Sequence, residues 1–407
     1  MIASDPNPVS AGPATIVVYG ASGVVGGLVA SALAARGATV VLAGRDRGRL
    51  AATRDQLGGA GGLAIAVAAA HDRPALDRAV AGARVVVGCA GPFPQVGGVV
   101  AAAAVAAGAH YVDVAGDQGF VRALHEEHDA EARRRGTVMA PGAGGLGAIG
   151  DWAARWAAED VLGTSPGIRG RLADDDPLDE IVIGLAVDGF VPAPAARRAM
   201  IDAVTARGVV WRAGRWDLTR AAARGHTIDF GELGQRAARS FPAPEVITVP
   251  RHLAARIVDG FIALPDDPWA RGLERLAPLA GLMAPFAGLL APVLATFVDP
   301  TQVPDATTRA RARFVVVASA RRGFRHAQVR IAGRDVYALA ARTVSDAAIM
   351  LAGRSPDLGG GACAPAELSA AATGLATLER DGAVTLSTSF GREAGTAVVE
   401  DRDARSS

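Results

Sequence analysis

The chain has 407 residues, half of them apolar, with 42 basic and 41 acidic side chains and a formal net charge of +1. That length suits two or three domains with a sizeable core, and the charge balance lacks the basic excess of a nucleic-acid binder. Two cysteines, Cys89 and Cys363, cannot build a disulfide framework or a cysteine-rich zinc site, which suits a reducing, cytoplasmic setting. Every one of the 42 basic residues is arginine, so a Walker A lysine, a Schiff-base lysine and a Tyr-x-x-x-Lys pair are all excluded.

Residues 1–13 lack the charged and apolar regions of a signal peptide and read as a flexible tail. The β-branched run Thr15 to Tyr19 then breaks at Gly20, and Gly23 and Gly26 follow before an alanine-rich segment. This predicts a strand, a tight turn and a helix, where a dinucleotide pyrophosphate can lie against bare backbone N–H groups. The candidate contacts are Gly20, Ala21, Ser22, Gly23, Val24, Val25 and Gly26. A second strand, Thr39 to Ala43, ends in Gly44-Arg45-Asp46. Arginine there matches a ribose 2′-phosphate and favours NADP(H), while Asp46 keeps NAD open.

Strand Leu63 to Val67 leads to His71-Asp72 and a helix from Pro74; Val85 to Cys89 forms a fourth strand ending in Ala90-Gly91-Pro92-Phe93. After helix Val96 to Ala107, strand His110 to Val114 ends in Ala115-Gly116-Asp117. Helix Phe120 to Arg135 carries His125 and His128 among many acids, a solvated face rather than a metal site. Strand Thr137 to Ala140 runs into Pro141-Gly142-Ala143-Gly144. Six strands alternating with helices predict a Rossmann-like, doubly wound parallel sheet over 14–162, with ligands at the strands' carboxyl ends. Asp72, Cys89, Ala90, Gly91, Pro92, Phe93 and Gly142 therefore join Gly44 and Arg45 as expected cofactor contacts.

From 163 the periodicity changes, and residues 163–355 predict an α+β substrate or dimerisation domain with a mixed or antiparallel sheet. Glu180 to Val187, Gly208 to Arg212, Glu245 to Val249 and Ile257 to Leu264 read as strands, and Ala193 to Ala206 as a helix. Arg311 to Ser319 and Arg325 to Ala332 suggest a hairpin, and Asp335 to Leu351 an amphipathic helix. Residues 356–407 form a C-terminal extension that could pack back on the first domain. The uncharged stretch 276–298 sets Pro278, Pro285 and Pro292 on nearly one helical face. Internal prolines argue against a single membrane span, leaving a buried cover or homodimer contact, the wall of an acyl or terpenoid pocket, or a lipid-surface segment.

The combined motifs GASGVVGG, LAGRDRGRL, VVGCAGPF, AAGAHYVDVAGDQ and APGAGG resemble the cofactor domain of saccharopine dehydrogenase-like proteins, especially the trans-acting enoyl reductase branch. The resemblance implies NADP(H) bound through Gly20, Gly23, Gly26 and Arg45. It also implies reduction of a C=C (enoyl) or C=N (imine) bond in an apolar or carrier-linked small molecule. It continues weakly through Ser240-Phe241-Pro242, Arg251-His252 and Val336-Tyr337, while Ala195-Ala196-Arg197-Arg198 departs from the branch's R-G-T sequence. Hydride transfer is the cofactor's chemistry, so the protein must position the acceptor and supply a proton. Asp117, His252 and Tyr337 are the candidate donors, each with an ordinary role as cap, core or packing residue. Alternatives from other classes are a dinucleotide-binding, lipid-associated scaffold or redox sensor, membrane-peripheral and without turnover, and a non-redox enzyme reusing the cleft.

Overall fold

The computed structural model describes residues 14–58, 63–164, 171–205, 207–263, 303–354 and 359–391. The proline-bearing stretch 276–298 lies outside these residues.

The first half alternates strand and helix: β1 (Thr15–Tyr19), α1 (Val24–Ala34), β2 (Thr39–Gly44), α2 (Arg47–Gln56), β3 (Leu63–Val67), α3 (Arg73–Val80), β4 (Val85–Gly88), α4 (Phe93–Ala106), β5 (His110–Asp113), α5 (Gln118–Glu127), α6 (Asp129–Arg134), β6 (Val138–Ala140) and α7 (Leu146–Leu162). Asp46, Asp72 and Asp117 start α2, α3 and α5 as caps, each side chain accepting from a backbone N–H in the first turn. The helix expected over Phe120 to Arg135 is two helices that meet at His128.

The second half contains β7 (Glu180–Asp188), α8 (Pro194–Thr205), β8 (Arg207–Arg212), β9 (Arg215–Arg220), β10 (Gly225–Asp229), β11 (Gln235–Ser240), α9 (Glu245–His252) and β12 (Ile257–Ala263). After these come α10 (Ala306–Arg311), β13 (Arg313–Arg322), β14 (Arg325–Arg334), α11 (Val336–Ala352), β15 (Gly361–Ala362), α12 (Pro365–Leu368), α13 (Ala371–Arg380) and β16 (Val384–Gly391). The expected strand Glu245 to Val249 is instead helix α9. Its run of Val, Ile and Thr is buried all round, so no alternation marks it, and Pro244 stands at its N-cap.

The first sheet has the order β15-β6-β5-β4-β1-β2-β3, with every pair parallel. This is a doubly wound sheet whose strand order reverses between β1 and β4, the place where such folds leave a crevice for a ligand. The second sheet is mixed. Its main path is β10-β11-β12-β7-β13-β14-β16, β12 and β7 are parallel, and the β8–β9 hairpin attaches through β12.

Two helices cross between the sheets. α7 follows the first sheet, yet its apolar face packs against β13 and β14 of the second, with Ile149 and Ala157 in one core with Phe314 and Val316. α11 follows the second sheet and returns to α1, β4 and β5, burying Val344 and Leu351 with Val18, Val85 and Val112. Each large apolar side chain so buried contributes about 1.5–3 kcal/mol, so each half holds the other's helix. The C-terminal extension is split in the same way: β15 extends the first sheet beside β6, and β16 extends the second beside β14.

Candidate functional site

The glycine turn begins with Gly20, whose N–H and that of Ala21 both donate to Ala43 O on β2, at 2.8 and 3.3 Å. Gly20 has φ +88°, and a Cβ there would lie 2.7 Å from Ala90 N on the loop after β4. Only glycine satisfies both demands. At Gly26 a Cβ would strike Gly20 O and come within 2.8 Å of Ala21 Cα, so the helix approaches the turn through bare backbone. The N-cap of α1 is Gly23, which has no side chain to bond the free N–H groups, and no acid occupies the first turn. That end of the helix carries its positive dipole uncompensated. A dinucleotide pyrophosphate suits such a helix start, whose free N–H groups and positive dipole favour an anion.

At the end of β2, the Asp46 carboxylate is engaged as the α2 cap through Arg49 N at 3.0 Å, whereas Arg45 is exposed. Arg49 reaches back to Ser22 O at 3.2 Å and ties α2 to the glycine turn. Asp72 is likewise a cap, accepting from Ala75 N at 3.0 Å. On the other side of the crevice, Phe93 opens α4 with its ring 5.3 Å from Phe120. Burial raises the Cys89 thiol well above its ordinary range, with Asp113 adding to it, so Cys89 is held as the neutral thiol.

Asp113 organises the next two strand ends and escaped the sequence reading. Its buried Oδ1 accepts from Ala115 N at 3.0 Å and Gly142 N at 2.7 Å, joining the loops after β5 and β6. Burial pushes its carboxyl up to about 6, against the lowering by those N–H groups and Tyr111. The signal in the sequence was a lone acid closing the strand His110 to Asp113. Gln118, directly after Asp117, is a second such residue. Its amide accepts from Val209 N at 2.7 Å and donates to Val209 O at 2.9 Å and Ala243 O at 3.0 Å, clamping the β5 end to the second half.

The three proposed proton donors stand apart. Asp117 is half-buried and one oxygen, Oδ1, accepts from Phe120 N at 2.7 Å. His252 is fully buried, its Nε2 3.0 Å from Asp151 Oδ1, which also accepts from Thr248 Oγ1 at 2.6 Å. Burial raises the Asp151 carboxyl, but His252, Thr248 and Ala366 N outweigh it and hold the group below the usual range. Tyr337 accepts from Ala193 N at 2.6 Å, donates to Val191 O at 3.2 Å and stacks on Phe190. Burial raises the Tyr337 phenol, so it stays protonated. It holds the segment leading into α8, whose Ala195 Cβ lies 3.4 Å from the position a Cβ on Gly91 would take. Tyr337 thus fastens a roof over the β4 loop. Among the described residues no group of three or more His, Cys, Asp or Glu side chains converges as metal ligands, and no helix is long and apolar enough to cross a membrane.

Strand order, glycine turn and crevice together define a dinucleotide-binding protein of the doubly wound class. Residues 16–139 match the model of the saccharopine dehydrogenase NADP binding domain, which makes NADP(H) the cofactor of this domain. Over 110 residues the chain is 38% identical to the trans-acting enoyl reductase of Mycobacterium ulcerans. Over the same length it is 42% identical to a Mycobacterium tuberculosis protein provisionally given that name. In both cases the match spans 26% of this chain and 26% of the relative. A lipid droplet localized protein of Caenorhabditis elegans is 28% identical over 138 residues, 32% of each chain. In overall fold the chain is similar to apo saccharopine dehydrogenase (L-Glu forming) of Saccharomyces cerevisiae, with a TM-score of 0.59 at 14% identity over 93% of this chain and 99% of that one.

Proposed function

We propose that the protein is an NADPH-dependent oxidoreductase that reduces a C=C (enoyl) bond in an apolar or carrier-linked intermediate, with C=N reduction as the variant of the same reading. The observation that carries it is the turn Gly20 to Gly26, with glycine at 20, 23 and 26 and no side-chain cap on α1, beside an exposed Arg45. In this reading the turn binds the pyrophosphate and Arg45 the 2′-phosphate, since Asp46 is engaged in its cap. Bound NADPH would supply the hydride. The loops from Cys89 to Phe93, Ala115 to Asp117 and Gly142 to Gly145 orient the acceptor, and the Tyr337-fastened segment excludes water. Asp117 is the acid at the strand ends, with one oxygen outside its cap, and we assign it the proton. His252 belongs to the buried Asp151 network, and Tyr337 positions the roof.

The match to the lipid droplet localized protein supports a second, related reading, in which the protein works at a lipid surface on an apolar substrate. Titration with NADPH and NADH, followed by nicotinamide fluorescence, tests the cofactor reading. NADPH should bind, and Arg45→Ala should weaken it by about 10-fold or more, the loss of one charge-assisted contact of about 1.5–3 kcal/mol, while NADH binding changes little. Absence of binding by either nucleotide would overturn the reductase reading; NADPH binding would justify an enoyl and imine substrate screen.

A further inference from the structure

A pocket of about 470 Å³ opens on the second sheet, where β13 begins, β14 ends and α11 starts, and none of its lining residues belongs to the strand-end loops of the first sheet. That volume lies in the range of small-molecule sites. Leu233 and Val315 contribute to an apolar floor, while Arg313, Arg334, Arg342 and Glu232 bring charge to the lining.

Arg313 and Arg334 are direct cross-strand partners in the β13–β14 register and therefore stand on the same face. Like charges directly opposite each other on a sheet repel. Arg313 is relieved only in part, for it also faces Asp188 across the β7–β13 pairing. The nearest acid to Arg313 is Asp188 at 3.8 Å, and that carboxylate is already held by both Nη atoms of Arg236, at 2.6 and 2.8 Å. Arg334 makes no ion pair with the described residues. Arg342 differs, being neutralised by Asp346 and Asp381 at 2.8 and 2.6 Å. Above its apolar floor the pocket thus holds Arg334, without an ion pair among the described residues, beside Arg313, which shares its carboxylate with Arg236.

We infer that this pocket binds an amphiphilic oxyanion, a carboxylate or phosphate monoester carried on an apolar chain. Arg313 and Arg334 take the head, and the floor formed in part by Leu233 and Val315 takes the start of the chain. A planar guanidinium pair suits either head group, and the ligand's negative charge removes the repulsion between the two arginines. The inference concerns a site separate from the cofactor crevice and stands whether or not the protein turns NADPH over.

The test is calorimetric titration of the full chain with decyl phosphate, decanoate, decanol and inorganic phosphate, all below micellar concentration. At least one of the two amphiphilic anions should bind ten-fold or more tightly than decanol and inorganic phosphate, and added salt should weaken it. Preference for decyl phosphate would indicate a phosphate-headed source, and preference for decanoate an acyl carboxylate. The double variant Arg313→Gln, Arg334→Gln should weaken binding at least ten-fold. Arg334→Gln alone should raise the Tm of the ligand-free protein at low salt, with the gain fading at high salt. Equal binding of decanol, undiminished binding by the double variant, no binding of either anion, or a fall in Tm for Arg334→Gln would each overturn the inference.

Discussion

Replacing Gln118 by alanine should loosen the junction between the two halves of the protein. The buried amide makes three hydrogen bonds, one from Val209 N and two to Val209 O and Ala243 O, all between 2.7 and 3.0 Å. Alanine leaves one backbone donor and two acceptors without partners at a buried position. A buried group left unsatisfied costs about 1–3 kcal/mol, and water entering the space recovers part of this, so we expect a net loss of about 3 kcal/mol. Hydrogen exchange read by mass spectrometry should show faster exchange of the β8 peptide containing Val209, with a lower urea midpoint. Gln118→Glu gives the sharper discrimination. Its carboxylate can still accept from Val209 N but faces two carbonyl oxygens with no proton to offer. Lowering the pH protonates it and restores one donor, so the defect of this variant should shrink in acid while that of the alanine variant does not. Wild-type exchange at Val209 in Gln118→Ala, or a pH-independent defect in Gln118→Glu, would refute the clamp.

Three further outcomes are expected. Gly26→Ala should lose about 1–3 kcal/mol and most NADPH binding, because its methyl meets Gly20 O and Ala21 Cα, whereas Gly27→Ala, with nothing nearer than Ala21 O at 3.7 Å, should be tolerated; thermal melts and titration of both variants compare them. Tyr337→Phe keeps the ring on Phe190 but loses both bonds to the roof segment, so trypsin, which finds only arginine here, should cut faster at Arg197 and Arg198; equal rates would refute the fastening. Burial, with Asp151 adding and its own backbone N–H opposing, lifts Glu245 to about 8 from an ordinary 4.5. Its stability contribution is complete below pH 4.5 and is lost as pH rises through 8, by at most about 1.4 kcal/mol per pH unit, and Glu245→Gln should remove that slope from urea melts run across this window.

The parallel sheet was legible because each of its longer strands carries its own signal: a short β-branched or apolar run, closed by a glycine, a proline or an Asp that caps the next helix. The glycine turn was legible for the same reason, since backbone approach leaves its mark as missing side chains. Asp113 and Gln118 were not, because their partners, Gly142, Val209 and Ala243, come from other elements and nothing local announces them. The helix α9 was hidden by uniform burial, which erases the alternation that separates helix from strand. β9 and β11 carry arginines where apolar residues would mark a strand, β10 is short and mostly polar, and β15, two residues long, exists only because β6 offers it an edge. The structural role of Tyr337 was hidden for a related reason: its partners, Val191 O and Ala193 N, lie far from it in the chain.

The helix exchange explains why the candidate site spans both halves. α11 leaves the second sheet and lies on the first, and in its first two turns it meets both walls of the crevice. Tyr337 holds the roof segment before α8, and two turns later Thr343 Oγ1 accepts from Gly145 N at 2.9 Å in the loop after β6. Asp113 then links that loop, through Gly142, to the loop after β5, where Gln118 reaches back to the second half. Floor and roof are therefore joined by one rigid helix and by a closed circuit of buried hydrogen bonds. A loose hinge would need at least two of these ties to open together, each with buried polar groups left bare. The arrangement favours a crevice formed before the ligand arrives, with the ordering cost met during folding rather than at binding. If the crevice holds the acceptor as proposed, its specificity falls to the residues that face the crevice from the roof. On the proposed reading, Ala195 to Arg198, where the sequence departs from the reductase branch it resembles, is the place to alter it.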